Sequence, residues 1–372
     1  MPAPILIGSE IYRGSSYGLK HPLAIQRVST VLDLCRALGW LPETQYRVSP
    51  RAKPAALTGF HTERYINALQ EAENAQYVSE DTRARHGLGT LSNPVFPEMY
   101  RRPATAAGGS ILGAELVARG GVVFNPGGGT HHGFPDRANG FCYLNDPVLA
   151  IKRLLALGVG RVAYVDIDAH HCDGVEAAFV GEDRLRLIST HEQARWPFTG
   201  TLVDTGGGNA FNLPVPRGFN DSEFHVLREA VILPLLSDFD PDIIILQCGA
   251  DAVEEDPLSR LALSNNTHWR LLRDLMGVSD RLLVLGGGGY NPWSVARLWT
   301  GVWAVLNGHE IPETSPQDAQ EVLAQLRWTR KAGQPPAHHW ITTLRDPARP
   351  GPVREEIWQM IAHMQRRIAA LA

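Results

Sequence analysis

The 372-residue sequence holds four cysteines, Cys35, Cys142, Cys172 and Cys248, and no two of them form a C-x-x-C. That scatter excludes a disulfide framework and a cysteine-based zinc site, and reads as reduced cytosolic thiols. An excess of basic charge is also lacking: 35 Lys and Arg against 39 Asp and Glu give a formal net charge of -4, so nucleic acid is not expected as a direct partner. Long uncharged apolar runs are missing too. The least polar stretch, Ala104 to Phe124, is interrupted by Glu115, Arg119 and repeated glycines, which makes it a core helix plus a strand rather than a membrane span. Met1-Pro-Ala-Pro-Ile-Leu-Ile7 reads as an early strand, without the charged leader and apolar segment of a secretory signal, and the expected location is the cytoplasm. Neither a Walker loop nor a dinucleotide fingerprint is formed with its required partners, and there is no internal repeat or low-complexity block.

What is present is an ordinary soluble balance, 44% hydrophobic and 20% charged residues, in a chain long enough for one large domain or two ordinary ones. The most informative stretch is Arg161-Val-Ala-Tyr-Val-Asp-Ile-Asp-Ala-His-His-Cys-Asp-Gly174, an apolar alternating run ending in six ionisable side chains within eight residues. It reads as a buried strand delivering a polar cluster to its C-terminal end, where α/β proteins bind ligands. The same design recurs along the chain. Gly121 to Phe124 ends in Asn125-Pro-Gly-Gly-Gly-Thr-His-His-Gly133, Leu185 to Ile188 in Ser189-Thr190-His191, Asp242 to Gln247 in Cys248-Gly-Ala-Asp251, and Arg281 to Leu285 in Gly286-Gly-Gly-Gly-Tyr290. Helical spacing near 145–157, 223–237, 267–277 and 294–307 separates these strands, as parallel crossovers require. Five strands thus place their polar residues at one end of one parallel sheet.

Elsewhere, Pro4 to Gly8 reads as the first strand, His21 to Leu38 as a helix containing Arg27, and Thr62 as the cap of a further helix. Ser79 to Arg102 reads as polar and irregular. The tail from Glu310 to Pro352 is rich in proline and charge, and precedes a helix whose stripe of Val353, Ile357, Met360, Ile361, Met364, Ile368 and Leu371 predicts docking onto the body.

Asp168 and His170 are two apart, so an extended backbone points both to one side. With Asp251 they would give a divalent ion one imidazole and two carboxylates, cancelling its charge and leaving a coordination position open, as in a catalytic rather than a closed structural zinc site. Such an ion polarises a carbonyl and activates water. His131 and His132 come from the neighbouring strand end, with Asp166 and Asp173 available as orienting carboxylates, like the base-plus-orienter pairs of hydrolases. Tyr290 follows four glycines that allow close backbone approach, and its hydroxyl could donate to a developing oxyanion.

These motifs, together with Tyr12-Arg-Gly-Ser-Ser-Tyr-Gly18 and Asn139-Gly-Phe-Cys-Tyr-Leu-Asn145, resemble the histone deacetylase superfamily, above all its bacterial histone-deacetylase-like and acetoin-utilisation proteins, in the family's order and over nearly the whole chain. The resemblance implies a single arginase/deacetylase-type α/β domain over residues 1–372, with an eight-stranded, mainly parallel sheet and helices on both faces. Residues 310–372 would form a C-terminal extension ending in the docking helix. It implies zinc on Asp168, His170 and Asp251, although iron(II) suits the same ligands. A structural potassium is also implied, held by Asp166, Asp168, Ser189 and the backbone of His170 and Thr190. His132 is then the general base and acid, oriented by Asp173, while His131, paired with Asp166, tunes the charge of the site. Tyr290 matches the oxyanion-stabilising tyrosine. Gly140 and Phe141 match one side of an acyl-lysine channel, and Trp196 falls where the opposite aromatic wall is expected, in a Trp196-Pro-Phe-Thr-Gly200 order that departs from the family's usual Phe-Pro-Gly. Arg27 matches the arginine beneath the metal near the acetate exit.

The implied activity is zinc-dependent hydrolysis that removes an acetyl or other short acyl group from lysine or a related aliphatic amine, with acetylpolyamines and small metabolites as alternative substrates. A manganese ureohydrolase of arginase type would need a second metal and an Asp-Ala-His-x-Asp pattern, which Asp168-Ala-His-His-Cys-Asp173 does not supply. A non-catalytic acyl-lysine binding module would lack a ligand or Tyr290, and neither is lacking. One departure stands out. Eukaryotic members carry an aspartate that holds the substrate's peptide backbone just before a Pro-Val-Phe-like segment, where this chain has Ser92-Asn93-Pro-Val-Phe96, so weak peptide anchoring is expected.

Overall fold

The computed structural model describes residues 2–330, 333 and 335–371. Its strands are β1 (Ile5–Gly8), β2 (Tyr46–Val48), β3 (Gly121–Asn125), β4 (Val162–Asp166), β5 (Leu185–Glu192), β6 (Ala210–Val215), β7 (Ile243–Gln247) and β8 (Arg281–Leu285). They form one eight-stranded sheet in the order β2-β1-β3-β8-β7-β4-β5-β6. Every pairing is parallel, so the sheet expected to be mainly parallel is parallel throughout.

The strand sequences explain the layering. β7, Ile-Ile-Ile-Leu-Gln, is buried along its whole length, as a strand covered on both faces must be. Successive side chains alternate between faces: Ile244 and Leu246 join one core, Ile243 and Ile245 the other. Helices Val28–Ala37, Asn265–Val278, Pro292–Asn307 and Glu355–Ala369 pack into the first core, and helices Arg101–Val117 and Asp146–Ala156 into the second.

Two strands escaped the sequence reading. β2 is three residues long with largely exposed side chains, too short to show a period. β6 carries Asn212 and Pro214, which argue against a strand except at a sheet edge, and β6 is the terminal strand. The 79–102 stretch, read as irregular, contains the helix Glu80–His86, capped by the Ser79 side chain accepting from the Thr82 N–H. Thr62 caps the helix Glu63–Ala75 as predicted, accepting from the Tyr65 N–H. Arg27 lies just outside the helix read as containing it. Its backbone is non-helical, at φ -130 and ψ -78, and its guanidinium donates to the Gly287 carbonyl at 2.7 Å.

The last helix docks as its apolar spacing predicts. Ile357, Met360, Ile361 and Met364 are buried, while Leu371, at the end of the stripe, is exposed. Arg354 holds the helix entry with two 2.6 Å bonds to the Glu223 carboxylate, and Arg367 lies over the Phe211 ring at 4.4 Å. The Glu223 side chain is fully buried, so Arg354→Ala removes charge-assisted bonds from a carboxylate that cannot turn to water. The expected loss of stability is about 1.5–3 kcal/mol, read from denaturant-induced unfolding. A loss below about 0.5 kcal/mol, the worth of an ordinary exposed ion pair, would show that the tail is not anchored there.

Candidate active site

Because all strands run the same way, their C-terminal ends open on one side of the sheet, and every motif read from the sequence arrives there. The chain leaves β4 at Asp166 and turns through Asp168 and His170 into the helix Asp173–Ala178, while Asp251 follows β7 within the short turn Ala250–Ala252. One ligand atom from each of Asp168, His170 and Asp251 lies within 4.8 Å of the other two. His170 Nδ1 is 3.1 Å from Asp168 Oδ1 and 3.0 Å from Asp251 Oδ2. The loop after β8 closes over this cluster at Gly288, whose N–H donates to Asp168 Oδ2 at 2.8 Å. A Cβ at Gly288 would stand 2.1 Å from Asp251 Oδ2, so any side chain there would displace a carboxylate.

The electrostatics of the cluster call for a positive charge. Burial opposes protonation of His170, yet its bonds to Asp168 and Asp251 outweigh burial and raise its pKa to about 10. Burial, and then the neighbouring Asp168 charge, push Asp251 up. Two buried carboxylates and an imidazole facing one point fit a divalent cation, which would take the place of the imidazole proton.

The loop after β3 brings two histidines beside this cluster. His131 Nδ1 lies 2.8 Å from Asp166 Oδ2, and His132 Nδ1 lies 2.6 Å from Asp173 Oδ1. Their ring centroids are 4.0 Å apart, but their environments pull them in opposite directions. For His131, burial is outweighed by Asp166 and Asp168, raising it to about 9. Burial and then the His131 charge lower His132 to about 4. One ring is thus cationic near neutrality and its neighbour neutral, and the neutral ring keeps Nε2 free of protein hydrogen bonds among the described residues. A pair of titratable groups driven apart in this way is a common mark of acid and base roles.

Tyr290, Phe141 and Trp196 surround the approach. Phe141 meets Tyr290 at a ring distance of 5.7 Å, and Trp196 lies 4.7 Å from His132 and 6.2 Å from His170. Gly140 has φ +51, and a Cβ there would come 2.2 Å from Trp196 Cη2. The glycine is therefore what allows the indole to pack against His132 at the same opening that Phe141 lines, despite the altered motif around it. The outer opening is lined by these aromatic residues with Ser92, Asn93 and Leu258. Beneath it lies an inner cavity reached by Arg27, Tyr17 and Cys142, with the Arg27 guanidinium 5.3 Å from the Trp299 ring. Asp166 and Ser189 face each other in register on β4 and β5. Both are fully buried, and the hydroxyl of Thr190 has no hydrogen-bond partner.

Four residues of the site were missed from the sequence. Tyr164 donates its hydroxyl to Asp166 Oδ2 at 2.7 Å, Gln247 donates to Asp168 Oδ2 at 2.9 Å, and Asn139 donates to Asp173 Oδ2 at 3.2 Å. Asp256 accepts the Tyr290 N–H at 2.6 Å and the Leu258 N–H at 2.8 Å. Tyr164 is two residues before Asp166 in a strand, and Gln247 ends a strand at the site's level, so period-two alternation was the available signal for both. Asp256 ends a run of acidic residues that reads as a solvated loop, and nothing local marks it as buried.

The histone deacetylase domain family matches residues 21–306. The putative histone deacetylase 2 of Caenorhabditis elegans is 36% identical over 312 residues, 80% of this chain and 61% of that protein. Acetoin utilization protein AcuC of Bacillus subtilis is 33% identical over 327 residues, 83% of this chain and 84% of that one. Among solved structures, an HDAC homologue complexed with SAHA superposes with a TM-score of 0.93 at 37% identity, covering 98% of this chain and all of the other. An HDAC homologue from Aquifex aeolicus gives a TM-score of 0.91 at 36% identity over 98% of this chain. With a family match over most of its length, laid on a sheet whose strand ends carry the matching motifs, this chain belongs to the histone deacetylase family.

Proposed function

We propose that the protein is a zinc-dependent deacylase that removes an acetyl or other short acyl group from lysine or a related aliphatic amine. The observation that carries this reading is the convergence of three elements on one aromatic-walled opening: the Asp168, His170 and Asp251 cluster, the His132–Asp173 pair, and Tyr290. Zinc or iron(II) held by those three ligands would polarise the acyl carbonyl and acidify water. His132, neutral and oriented through Nδ1 by Asp173, takes the water proton on Nε2 and returns it to the departing amine. His131, kept cationic by Asp166, favours the negative charge that develops on the acyl oxygen. The Tyr290 hydroxyl, held protonated by burial, donates a hydrogen bond to that oxygen. Phe141, Trp196 and Gly140 line the chain's path, and Arg27 stands on the inner cavity, where an acid product would meet a cation.

A structural potassium on Asp166, Asp168, Ser189 and the backbone of His170 and Thr190 belongs to the same reading, supported by the buried, register-paired Asp166 and Ser189. The close packing of the final helix supports treating residues 1–372 as one catalytic domain with 310–372 as its extension. Four unpaired buried thiols favour a reducing, cytoplasmic setting. Among the described residues, no helix is long and apolar enough to cross a membrane.

The direct test is release of the free amine and the matching carboxylic acid from acetyl-lysine peptides, acetylpolyamines and longer acyl-lysines by the zinc-loaded and the chelator-treated protein. No turnover of any acylated amine by the loaded protein would end the proposal. The aromatic walls set a further expectation. Four methylenes between Phe141 and Trp196 contribute roughly 3 kcal/mol of sequence-independent binding. Neutral acetyl-lysine peptides of differing sequence should therefore share kcat/KM within about tenfold, the scale of exposed polar contacts, and acetylpolyamines should be poorer. A hundredfold preference among neutral peptides would reveal anchoring that the channel walls do not provide.

A further inference from the structure

The outer opening has a charge of its own. Besides His132, His170 and Tyr290, already assigned to the site, its ionisable lining residues are Arg137, Arg195 and Glu192. Glu192 is buried and committed: both its oxygens receive the Arg195 guanidinium, and Oε2 also accepts the Arg260 N–H at 2.8 Å. Arg195 spends its remaining reach on the Leu258 carbonyl at 2.7 Å. Those two charges therefore cancel within the wall. Arg137 is exposed, and among the described residues its guanidinium has neither a hydrogen-bond nor an ion-pair partner. The neighbouring Asp136 does not line the opening.

The backbone that carries Arg137 is fixed. Phe134 N–H donates to the Arg137 carbonyl at 3.1 Å and Ala138 N–H to the His86 carbonyl at 2.9 Å, and the His86 ring meets the Asp136 carbonyl at 2.5 Å. The side chain runs beside the turn at Gly87, with Nε 3.8 Å from where a Cβ on that glycine would stand. Thr90 and Ser92 lie along the same side of the opening, and Ser92 is exposed. This edge thus offers an unpaired cation on a fixed backbone and the Ser92 hydroxyl, the Thr90 hydroxyl being spent on the Gly87 carbonyl, and no free carboxylate lines it to receive a cationic substrate. We propose that Arg137 determines specificity by selecting acylated amines that carry a carboxylate near the base of the acylated chain. This refinement rests on the deacylase reading of the same site. The carboxylate has two sources, the α-carboxylate of a free acylated amino acid or an acidic residue beside acyl-lysine in a peptide.

The test compares acetyl-lysine peptides that differ only in Glu, Gln or Lys beside the acetyl-lysine, together with Nα-capped acetyl-lysine as its free carboxylate and as its uncharged amide. Dissociation constants of fluorescein-labelled versions and kcat/KM are both measured on the zinc-loaded parent, Arg137→Gln and Arg137→Glu. In the parent, each step from Lys to Gln to Glu should tighten binding about threefold to fivefold, the scale of an exposed ion pair, and the gain should shrink at high salt. Arg137→Gln should flatten the series and Arg137→Glu reverse it, with the Gln peptide bound and turned over as by the parent. Preference for the capped free carboxylate over its amide, without a Glu effect, identifies the small-molecule source, and the converse identifies the peptide. A parent that prefers neither the Glu peptide over the Gln peptide nor the capped free carboxylate over its amide, or a preference that survives Arg137→Gln, overturns the assignment. A binding series that follows Arg137 while no substrate is hydrolysed leaves the assignment standing and rejects the deacylase reading instead.

Discussion

Asp251→Ala is expected to yield a folded protein that retains no stoichiometric divalent ion and turns over no acylated amine. The proposed ligand set is two carboxylates and one imidazole, and removing Asp251 leaves a single carboxylate to balance a doubly charged ion. Even partners outside the coordination sphere are worth about 10–100-fold in affinity, so losing a ligand should weaken binding beyond about 100-fold. Folding should survive. Burial, and then the Asp168 charge, work against ionisation of Asp251, while its loss frees the Ala169 N–H and the His170 ring. The metal-free variant should therefore unfold cooperatively, within about 1–3 kcal/mol of the metal-free parent. Elemental analysis after gel filtration, paired with an unfolding curve, separates the outcomes. Full metal content in a folded Asp251→Ala protein would remove Asp251 from the ligand set.

Tyr290→Phe should behave in the opposite way, keeping the ion and losing the rate. The ring remains to pack against Phe141, and the backbone N–H still reaches Asp256, so the loop after β8 keeps its position. Only the hydroxyl is lost. A donor that acts on the developing oxyanion is worth roughly 3–4 kcal/mol, or about 10²–10³ in kcat, while the ground-state carbonyl gains little from it. Unchanged metal content and substrate Kd with kcat lowered by that factor is the expected result. A rate within about threefold of the parent would move the oxyanion role to another group.

The site was more legible in the sequence than the fold that presents it. Polar residues at the ends of apolar runs are a local signal, and Asp168, His170, Asp251, His131, His132 and Tyr290 each follow such a run directly. Long-range partners leave no such trace. Asp256 is adjacent to the Tyr290 backbone only because two loops meet, and although the strand-end position of Gln247 was readable, its partner Asp168 was not, since the two meet only because β7 and β4 are neighbours. β6 was hidden because Asn212 and Pro214 suit an edge strand and look wrong for a central one. Arg27 misled in a different way: apolar spacing runs on through it, but the backbone breaks there, and the helix begins at Val28.

The strand order has a consequence for how the enzyme is made. β2, β1 and β3 form one ribbon and β4, β5 and β6 another, and only β7 and β8 lie between them. His131 and His132 belong to the first ribbon, Asp168, His170 and Asp173 to the second. Strands synthesised last thus fill the centre, and β3 must wait for β8, its register partner from Gly121–Arg281 to Asn125–Leu285. Contacts so distant in sequence form late and slowly. A nascent chain that has not yet emerged past β8 therefore holds the two histidines and the Asp168–His170 stretch on separate pieces, and the candidate site comes together only once β7 and β8 have filled the gap between them.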